Sequence, residues 1–222
     1  MTDRSLFIRA CLGEHTERTP IWLMRQAGRY MPEYRAVRQR SDFWTLCKTP
    51  ELACEVTLQP IEAFGLDASI IFSDLLVSLP PLGFPVEFVP GRGPVVDGPI
   101  VTPEDVGRAK PFEVSKALKY VGDAVSMTRA ALPKDVPLIG FAGAPFTLAS
   151  YLIEGGSSKA FMKTKAFLHE HRAAAEVLFE YLTQATIDLL NMQAESGAEA
   201  LQIFDSWAGC LDPEQYKRWG LH

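Results

Sequence analysis

The chain has 222 residues, 47% of them hydrophobic and 22% charged, which is the composition of a globular protein large enough to bury a core as one domain. Its formal net charge of -5 and pI near 5.4 argue against a nucleic-acid or anionic-membrane partner, because such partners require a basic surface. No signal-peptide core and no run of ~18 apolar residues occurs, so we expect a cytoplasmic protein without a membrane partner.

The cysteines are far apart and include no C-x-x-C pair. This spacing fits reduced thiols better than a disulfide framework or a structural zinc site. They are Cys11, Cys47, Cys54 and Cys210.

Short apolar runs, most of them followed by a helical pattern, indicate buried parallel strands. Such strands carry continuous hydrophobicity because helices cover both faces of the sheet. The four predicted strands are Ile21 to Met24, Ala68 to Phe72, Pro137 to Phe141 and Ala200 to Phe204. The predicted helices are Pro50 to Phe64, Val114 to Leu132, Ser158 to His169 and Arg172 to Ser196. Between Leu82 and Val101, short apolar pieces split by glycines predict a β-hairpin.

Four βα units in one direction predict an α/β fold, either a doubly wound sheet or a (β/α)8 TIM-type barrel. Periodicity leaves both open. No G-x-G-x-x-G or phosphate-binding loop follows any strand, which favours the barrel. In a barrel, functional side chains gather after the carboxyl ends of the strands, so those positions are candidate sites.

Arg25 and Arg29 follow the first predicted strand and are four residues apart. If a helix begins there, both guanidinium groups lie on one face and suit a ligand with several carboxylates. A surface helix with paired arginines is the alternative. After the second strand, Asp74 lies between apolar residues and should either meet a cation or cap the next helix.

Tyr151 offers a hydroxyl after the third strand, in a segment rich in small residues, although a tyrosine at such a position is more often a core residue whose hydroxyl reaches solvent. Gly155 and Gly156 end this helical segment in a loop. Ser206 follows the fourth strand without a G-x-S-x-G elbow, so nucleophilic serine chemistry is not predicted.

Two long segments resemble signatures of the uroporphyrinogen decarboxylase family: PIWLMRQAGRYMPEYR at positions 20 to 35 and GFAGAPFTLASYLIEGG at 140 to 156. The resemblance extends through IIFSDLLV and LQIFDSWAG. It implies a (β/α)8 TIM-type barrel, of which residues 1–222 form a single, incomplete domain with about the first four βα units. It also implies a cytoplasmic, homodimeric enzyme of haem biosynthesis that needs no cofactor or metal.

The resemblance further implies that the chain decarboxylates the four acetate groups of uroporphyrinogen to give coproporphyrinogen. Arg25 and Arg29 match the cationic groups that bind substrate carboxylates, and Asp74 matches a carboxylate that stabilises the transition state at the pyrrole N–H groups. Tyr151 and Ser206 match hydroxyls that contact the tetrapyrrole. The full set of matched substrate contacts is Arg25, Gln26, Ala27, Gly28, Arg29, Asp74, Tyr151 and Ser206.

Family members continue beyond this sequence, into a Gly-His-Gly segment whose histidine also binds substrate. Half a barrel has open sheet edges and an exposed apolar interior, so we expect aggregation, assembly with another copy or dependence on the missing half. We therefore expect catalysis to require that half. One alternative is a truncated, inactive porphyrinogen-binding fragment. Another is a related zinc-dependent corrinoid or thiol methyltransferase, although the His-x-Cys spacing typical of that zinc site does not occur here.

Overall fold

The computed structural model describes residues 4–221 and contains helices separated by short strands. The α-helices are α1 (Leu6–Cys11), α2 (Pro32–Arg40), α3 (Phe43–Lys48), α4 (Pro50–Phe64), α5 (Leu79–Leu82), α6 (Val114–Ala117), α7 (Lys119–Ala131), α8 (Pro145–Glu154), α9 (Met162–Glu170), α10 (Arg172–Glu195) and α11 (Pro213–Gln215). The strands are β1 (Ser69–Ile70), β2 (Val86–Val89), β3 (Gly93–Val96), β4 (Leu138–Gly143) and β5 (Ala200–Phe204). Shorter 3-10 and π-helical turns are Pro103–Arg108, Ala208–Cys210 and Tyr216–Gly220.

The contacts divide the chain into two units, which we describe separately. Unit 1 comprises residues 4–74, 119–141 and 190–202. Unit 2 comprises residues 75–118, 142–189 and 203–221.

Unit 1 is built on a sheet of order β1-β4-β5. Strands β1 and β4 are parallel, with Ser69 opposite Leu138. Helix α4 begins with Pro50, whose fixed φ suits a first helical turn, and ends at Gly65, which adopts the left-handed φ of 60° that glycine tolerates. It packs against α7 around buried apolar residues that include Ile71 and Val125. The predicted mixed α/β fold with a parallel sheet is therefore confirmed, and over the residues described the sheet is open rather than a closed barrel.

The predicted first strand, Ile21 to Met24, is wrong. Ile21, Leu23 and Met24 are 56%, 44% and 62% exposed. One backbone hydrogen bond, from the N–H of Asp67 to the C=O of Ile21 at 2.9 Å, joins this segment to the residues before β1. A single bond makes no ladder, so an apolar run here forms a loop instead of a strand.

Other boundaries follow from local backbone geometry. The expected helix of Val114 to Leu132 divides into α6 and α7 at Leu118, which has a non-helical φ of -114° and ψ of 23°. The expected helix starting at Ser158 begins only at Met162, because Phe161 before it adopts a left-handed φ of 53°. Helix α4 and strand β5 have the predicted limits. The predicted burial of β5 is wrong, because Leu201 and Ile203 are 44% and 51% exposed.

Unit 2 contains the predicted β-hairpin. Strands β2 and β3 are antiparallel, with Val86 opposite Val96. The hairpin meets the end of α8, where Val95 pairs with Gly156. Gly155 ends α8 in the left-handed conformation with φ of 81°, so the predicted glycine loop is confirmed. In the part of the chain that the structure describes, no helix is long and apolar enough to span a membrane.

Candidate active site

In unit 1, the loop that carries Arg25 to Arg29 is anchored by one buried side chain. Gln26 is 2% exposed, and its Oε1 accepts a hydrogen bond from the N–H of Leu23 at 3.0 Å. The backbone C=O of Gln26 also accepts a hydrogen bond from the Tyr30 hydroxyl. The segment is therefore an ordered loop that precedes α2, and the helix considered for Arg25 and Arg29 begins only at Pro32.

Ala27 and Gly28 complete the inner side of this loop. Ala27 packs against a buried cluster that includes Met31 and Tyr34. A Cβ on Gly28 would lie 3.2 Å from the Tyr30 ring, so a larger residue would displace that ring. Ala27 thus lies against the core, whereas Gly28 leaves room for the Tyr30 ring.

Arg25 and Arg29 are exposed on the same loop. Within residues 4–221, neither guanidinium forms an ion pair or hydrogen bond with a side chain. Two permanently charged groups that lack a counter-ion among the described residues provide a local positive potential on a chain whose net charge is -5. This loop is therefore a candidate binding site for a carboxylate-rich ligand.

Asp67 fixes the chain just before the loop. Its Oδ1 and Oδ2 accept hydrogen bonds from the two Arg18 nitrogens at 2.5 and 2.6 Å, and Oδ2 also accepts one from the N–H of Ile21 at 2.7 Å. The Arg18 hydrogen bond lowers the pKa of Asp67 below its usual value, and the Ile21 N–H adds to this effect.

Asp74 follows β1 and is partly buried. The N-cap of the next helix, α5, is Ser78, so Asp74 does not occupy the capping position considered for it. Burial raises the pKa of Cys47 and Tyr120 well above their usual values, and in both cases the Asp74 charge raises it further. The carboxylate therefore acts on a poorly solvated region of unit 1, where its electrostatic effect is strong.

The charge of Arg29 affects Tyr34, which also lies near Cys47. Burial raises the pKa of Tyr34, whereas the nearby Arg38 and Arg29 lower it. The Tyr34 ring packs on Phe72 at a centroid distance of 5.7 Å, and Phe72 is two residues before Asp74. Unit 1 thus brings the cationic loop and the segment that carries Asp74 to one aromatic cluster.

In unit 2, Tyr151 and Ser206 are linked through a neighbouring tryptophan. Tyr151 is on α8, and its ring lies 5.8 Å from that of Trp207. Ser206, immediately before Trp207, is exposed in the turn after β5. Both predicted hydroxyl positions are therefore near the same indole.

Sequence reasoning missed Thr147 and Asp205, which lie beside these two residues. The Thr147 hydroxyl donates a hydrogen bond to Asp205 Oδ1 at 2.8 Å and accepts one from the N–H of Trp207 at 3.3 Å. Burial raises the pKa of Asp205, and the Thr147 hydrogen bond opposes this rise. The available signal was an acidic residue directly after an apolar run, the same signal that singled out Asp74.

Among residues 4–221, no group of three or more histidine, cysteine or acidic side chains is arranged to hold a metal ion. The cysteines of this part of the chain are free thiols, with Cys11 exposed and Cys47 and Cys54 buried.

These features define a parallel α/β protein that presents charged and hydroxyl groups after the carboxyl ends of its strands, an arrangement typical of α/β enzymes. The uroporphyrinogen decarboxylase (URO-D) family model matches residues 2–222. The chain belongs to the uroporphyrinogen decarboxylase family.

Individual relatives agree with this assignment. The chain is 52% identical to the uroporphyrinogen decarboxylase of Chloroflexus aggregans over 221 residues, which are 100% of this chain and 61% of the relative. It is 49% identical to that of Dictyostelium discoideum over 216 residues, or 97% of this chain and 59% of the relative. The chain thus spans about three fifths of the length of these curated relatives.

A solved structure shares the fold at lower sequence identity. It is a methyltransferase from Methanosarcina mazei, which is 22% identical and matches with a TM-score of 0.78 over 97% of this chain and 64% of that one. At this identity the likeness concerns the fold alone.

Proposed function

We propose that this chain is the N-terminal part of a cofactor-independent uroporphyrinogen decarboxylase, a carboxy-lyase that converts the four acetate groups of uroporphyrinogen to methyl groups. The observation that carries the proposal is the loop of unit 1, in which the buried Gln26 anchors the backbone between two exposed arginines that form no ion pair within residues 4–221. Uroporphyrinogen carries eight carboxylates, and a guanidinium can bind each carboxylate with two hydrogen bonds. The proposal includes a (β/α)8 barrel, of which residues 1–222 would be a single incomplete domain, and a cytoplasmic homodimer.

The substrate contacts we propose are the matched family positions. Arg25 and Arg29 bind and orient acetate groups, and Gln26, Ala27 and Gly28 keep the loop in place between them. Tyr151 and Ser206 contribute hydroxyl groups that contact the tetrapyrrole. Arg25, Arg29 and Asp74 are the proposed catalytic residues.

The chemistry explains the role proposed for Asp74. Protonation of the electron-rich pyrrole carbon gives a cationic ring that accepts the electron pair of the breaking C–CO2 bond, and CO2 leaves. The side-chain carbon then takes up a proton to become a methyl group, and the ring carbon releases the proton that it gained, which restores the neutral pyrrole. A fixed carboxylate at the pyrrole nitrogens stabilises that cation. The charge of Asp74 acts on Cys47 and Tyr120, whose pKa values burial raises, so part of its field passes through poorly solvated protein and is weakly screened.

Product chromatography after anaerobic incubation with uroporphyrinogen tests the activity. We expect coproporphyrinogen from a form extended to the full length of the relatives and no turnover from the 222-residue chain. Turnover by the short chain would contradict the requirement for the remaining residues. Substrate binding without turnover by the extended form would support a binding fragment instead, whereas stoichiometric zinc in the purified protein would support the methyltransferase alternative.

In the extended form, we expect Asp74→Asn to lower kcat by about 100-fold or more, since one preorganised electrostatic group contributes on that scale. KM should stay within about threefold, because the lost interaction belongs to the transition state. Asp123→Asn is the matched control, since Asp123 forms an exposed ion pair with Lys119 at 2.6 Å in the same unit. Near-full turnover by Asp74→Asn would contradict the electrostatic role.

A further inference from the structure

Thr147 joins two separate segments of unit 2 through one buried hydroxyl group. Its residue is 0% exposed. The hydroxyl donates to Asp205 Oδ1 at 2.8 Å and accepts from the backbone N–H of Trp207 at 3.3 Å. The residue between these two partners is Ser206, so Thr147 fixes the chain on both sides of that serine.

The same threonine is linked to Tyr151 by helix geometry. Thr147 and Tyr151 are four residues apart on α8, and side chains at this spacing share one face of a helix. The Trp207 indole packs on the Tyr151 ring at 5.8 Å and on the Phe161 ring at 5.1 Å. The post-strand turn therefore lies against the face of α8 that carries Tyr151.

A backbone contact supports this arrangement independently of the side chains. The N–H of Ala144, which is the N-cap of α8, donates to the C=O of Phe204 at 3.0 Å. The end of β5 and the start of α8 are thus joined just before Asp205. In contrast, the Ser206 hydroxyl has no hydrogen-bond partner in residues 4–221, so its position depends on its neighbours.

We propose that Thr147 and Asp205 are positioning residues, which hold the hydroxyls of Ser206 and Tyr151 in the places from which they contact the tetrapyrrole. This inference rests on the proposed function and adds two residues that act without touching substrate. Asp205 accepts the Thr147 hydrogen bond, and Thr147 in turn orders the turn through the Trp207 N–H.

The test compares substitutions that remove or keep the hydroxyl. Thr147→Val removes both hydrogen bonds at nearly constant shape, whereas Thr147→Ser keeps them. Asp205→Ala removes the acceptor, whereas Asp205→Asn keeps an oxygen that can accept. Thr128→Val is the matched control, because Thr128 is also 0% exposed but its Oγ1 has no hydrogen-bond partner among the described residues.

Two readouts are measured in the extended form. The first is the emission of Trp207, taken as the difference between each protein and its Trp207→Phe counterpart. The second is KM against kcat for uroporphyrinogen. For Thr147→Val and Asp205→Ala we expect emission at longer wavelength and a KM raised about tenfold, the scale on which misplaced binding groups act. Thr147→Ser, Asp205→Asn and Thr128→Val should stay within about twofold of the parent in KM.

The outcomes separate this inference from the proposed function. If the parent protein turns over uroporphyrinogen and Thr147→Val matches Thr147→Ser in KM and emission, the positioning role is overturned. If Thr147→Val does not fold, Asp205→Ala is compared with Asp205→Asn instead. Equal KM and equal emission of these two variants would likewise overturn the positioning role. If the parent neither binds nor converts uroporphyrinogen, the proposed function fails, and the emission then decides whether Thr147 holds the turn at all.

Discussion

Replacing Gln193 by leucine tests how strongly α10 supports the parallel sheet of unit 1. The Gln193 side chain is 1% exposed and forms two hydrogen bonds with one residue of β4. Its Oε1 accepts from the N–H of Phe141 at 2.9 Å, and its Nε2 donates to the C=O of Phe141 at 2.8 Å. Leucine can form neither bond.

The expected loss follows from these two contacts. A buried polar group that loses its partner costs about 1–3 kcal/mol, so two such groups cost about 2–6 kcal/mol. The added burial of the leucine side chain offsets roughly 1 kcal/mol of this cost. We therefore expect Gln193→Leu to lower the free energy of unfolding by about 1–5 kcal/mol.

Urea denaturation followed by circular dichroism measures this change. Gln184→Leu is the matched control on the same helix, because Gln184 is exposed and donates to Asp188 at 2.8 Å. The control should stay within about 0.5 kcal/mol of the parent. An equally small effect of Gln193→Leu would refute the reasoning, since it would mean that the bridge to Phe141 adds nothing to the sheet.

Two further predictions concern the contact of Gly156 with the hairpin and the ion pair of Asp67 with Arg18. Gly156→Ala should lower the free energy of unfolding by about 1–3 kcal/mol, because a Cβ there would lie 2.8 Å from the Pro94 carbonyl oxygen. Gly107→Ala, with nothing within 4 Å, should have little effect in the same urea titration, and equal effects would contradict the clash. The lowered pKa of Asp67 means that its stabilisation is present above the ordinary value of 3.8 and is lost as the pH falls through the folded-state pKa. Asp67→Asn should therefore show a shallower loss of stability below about pH 4, and an unchanged acid slope would speak against this role.

Elements with strong local signals were predictable from the sequence. Helix α4 combines an initial Pro50 with a terminal Gly65, and it has the expected limits. Strand β5 also has the expected limits, because this apolar run has a pairing partner in the neighbouring strand β4. In these cases backbone preferences and hydrophobic pattern agree.

The first predicted strand failed because apolar character alone does not provide a pairing partner. Ile21 and Leu23 are apolar but exposed, and hydrogen bonding rather than hydrophobicity decides whether a segment is a strand. The helix considered for Arg25 and Arg29 failed for a related reason. The buried amide of Gln26 bonds within the loop, and a sequence pattern carries no sign of that contact.

The candidate site was accessible to sequence reasoning only where a residue type implied its chemistry. The paired arginines indicated a binding site for an anion. An aspartate among apolar residues indicated a carboxylate that meets a cation or caps a helix. Thr147 gave no such indication, since a buried threonine in a helix is ordinary. Its connection to Asp205 spans 58 positions and exists only in the folded chain.

In the loop of unit 1, the residues that hold the backbone in place are different from the residues that carry the charge. Gln26 and Ala27 face inward and hold the backbone, whereas Arg25 and Arg29 face solvent and take part in no ion pair within the described residues. Substitutions at the two arginines can therefore change which anions the loop attracts while leaving its buried contacts intact. In evolutionary terms, ligand preference at this loop can diverge between descendants of one ancestor while every intermediate sequence still folds.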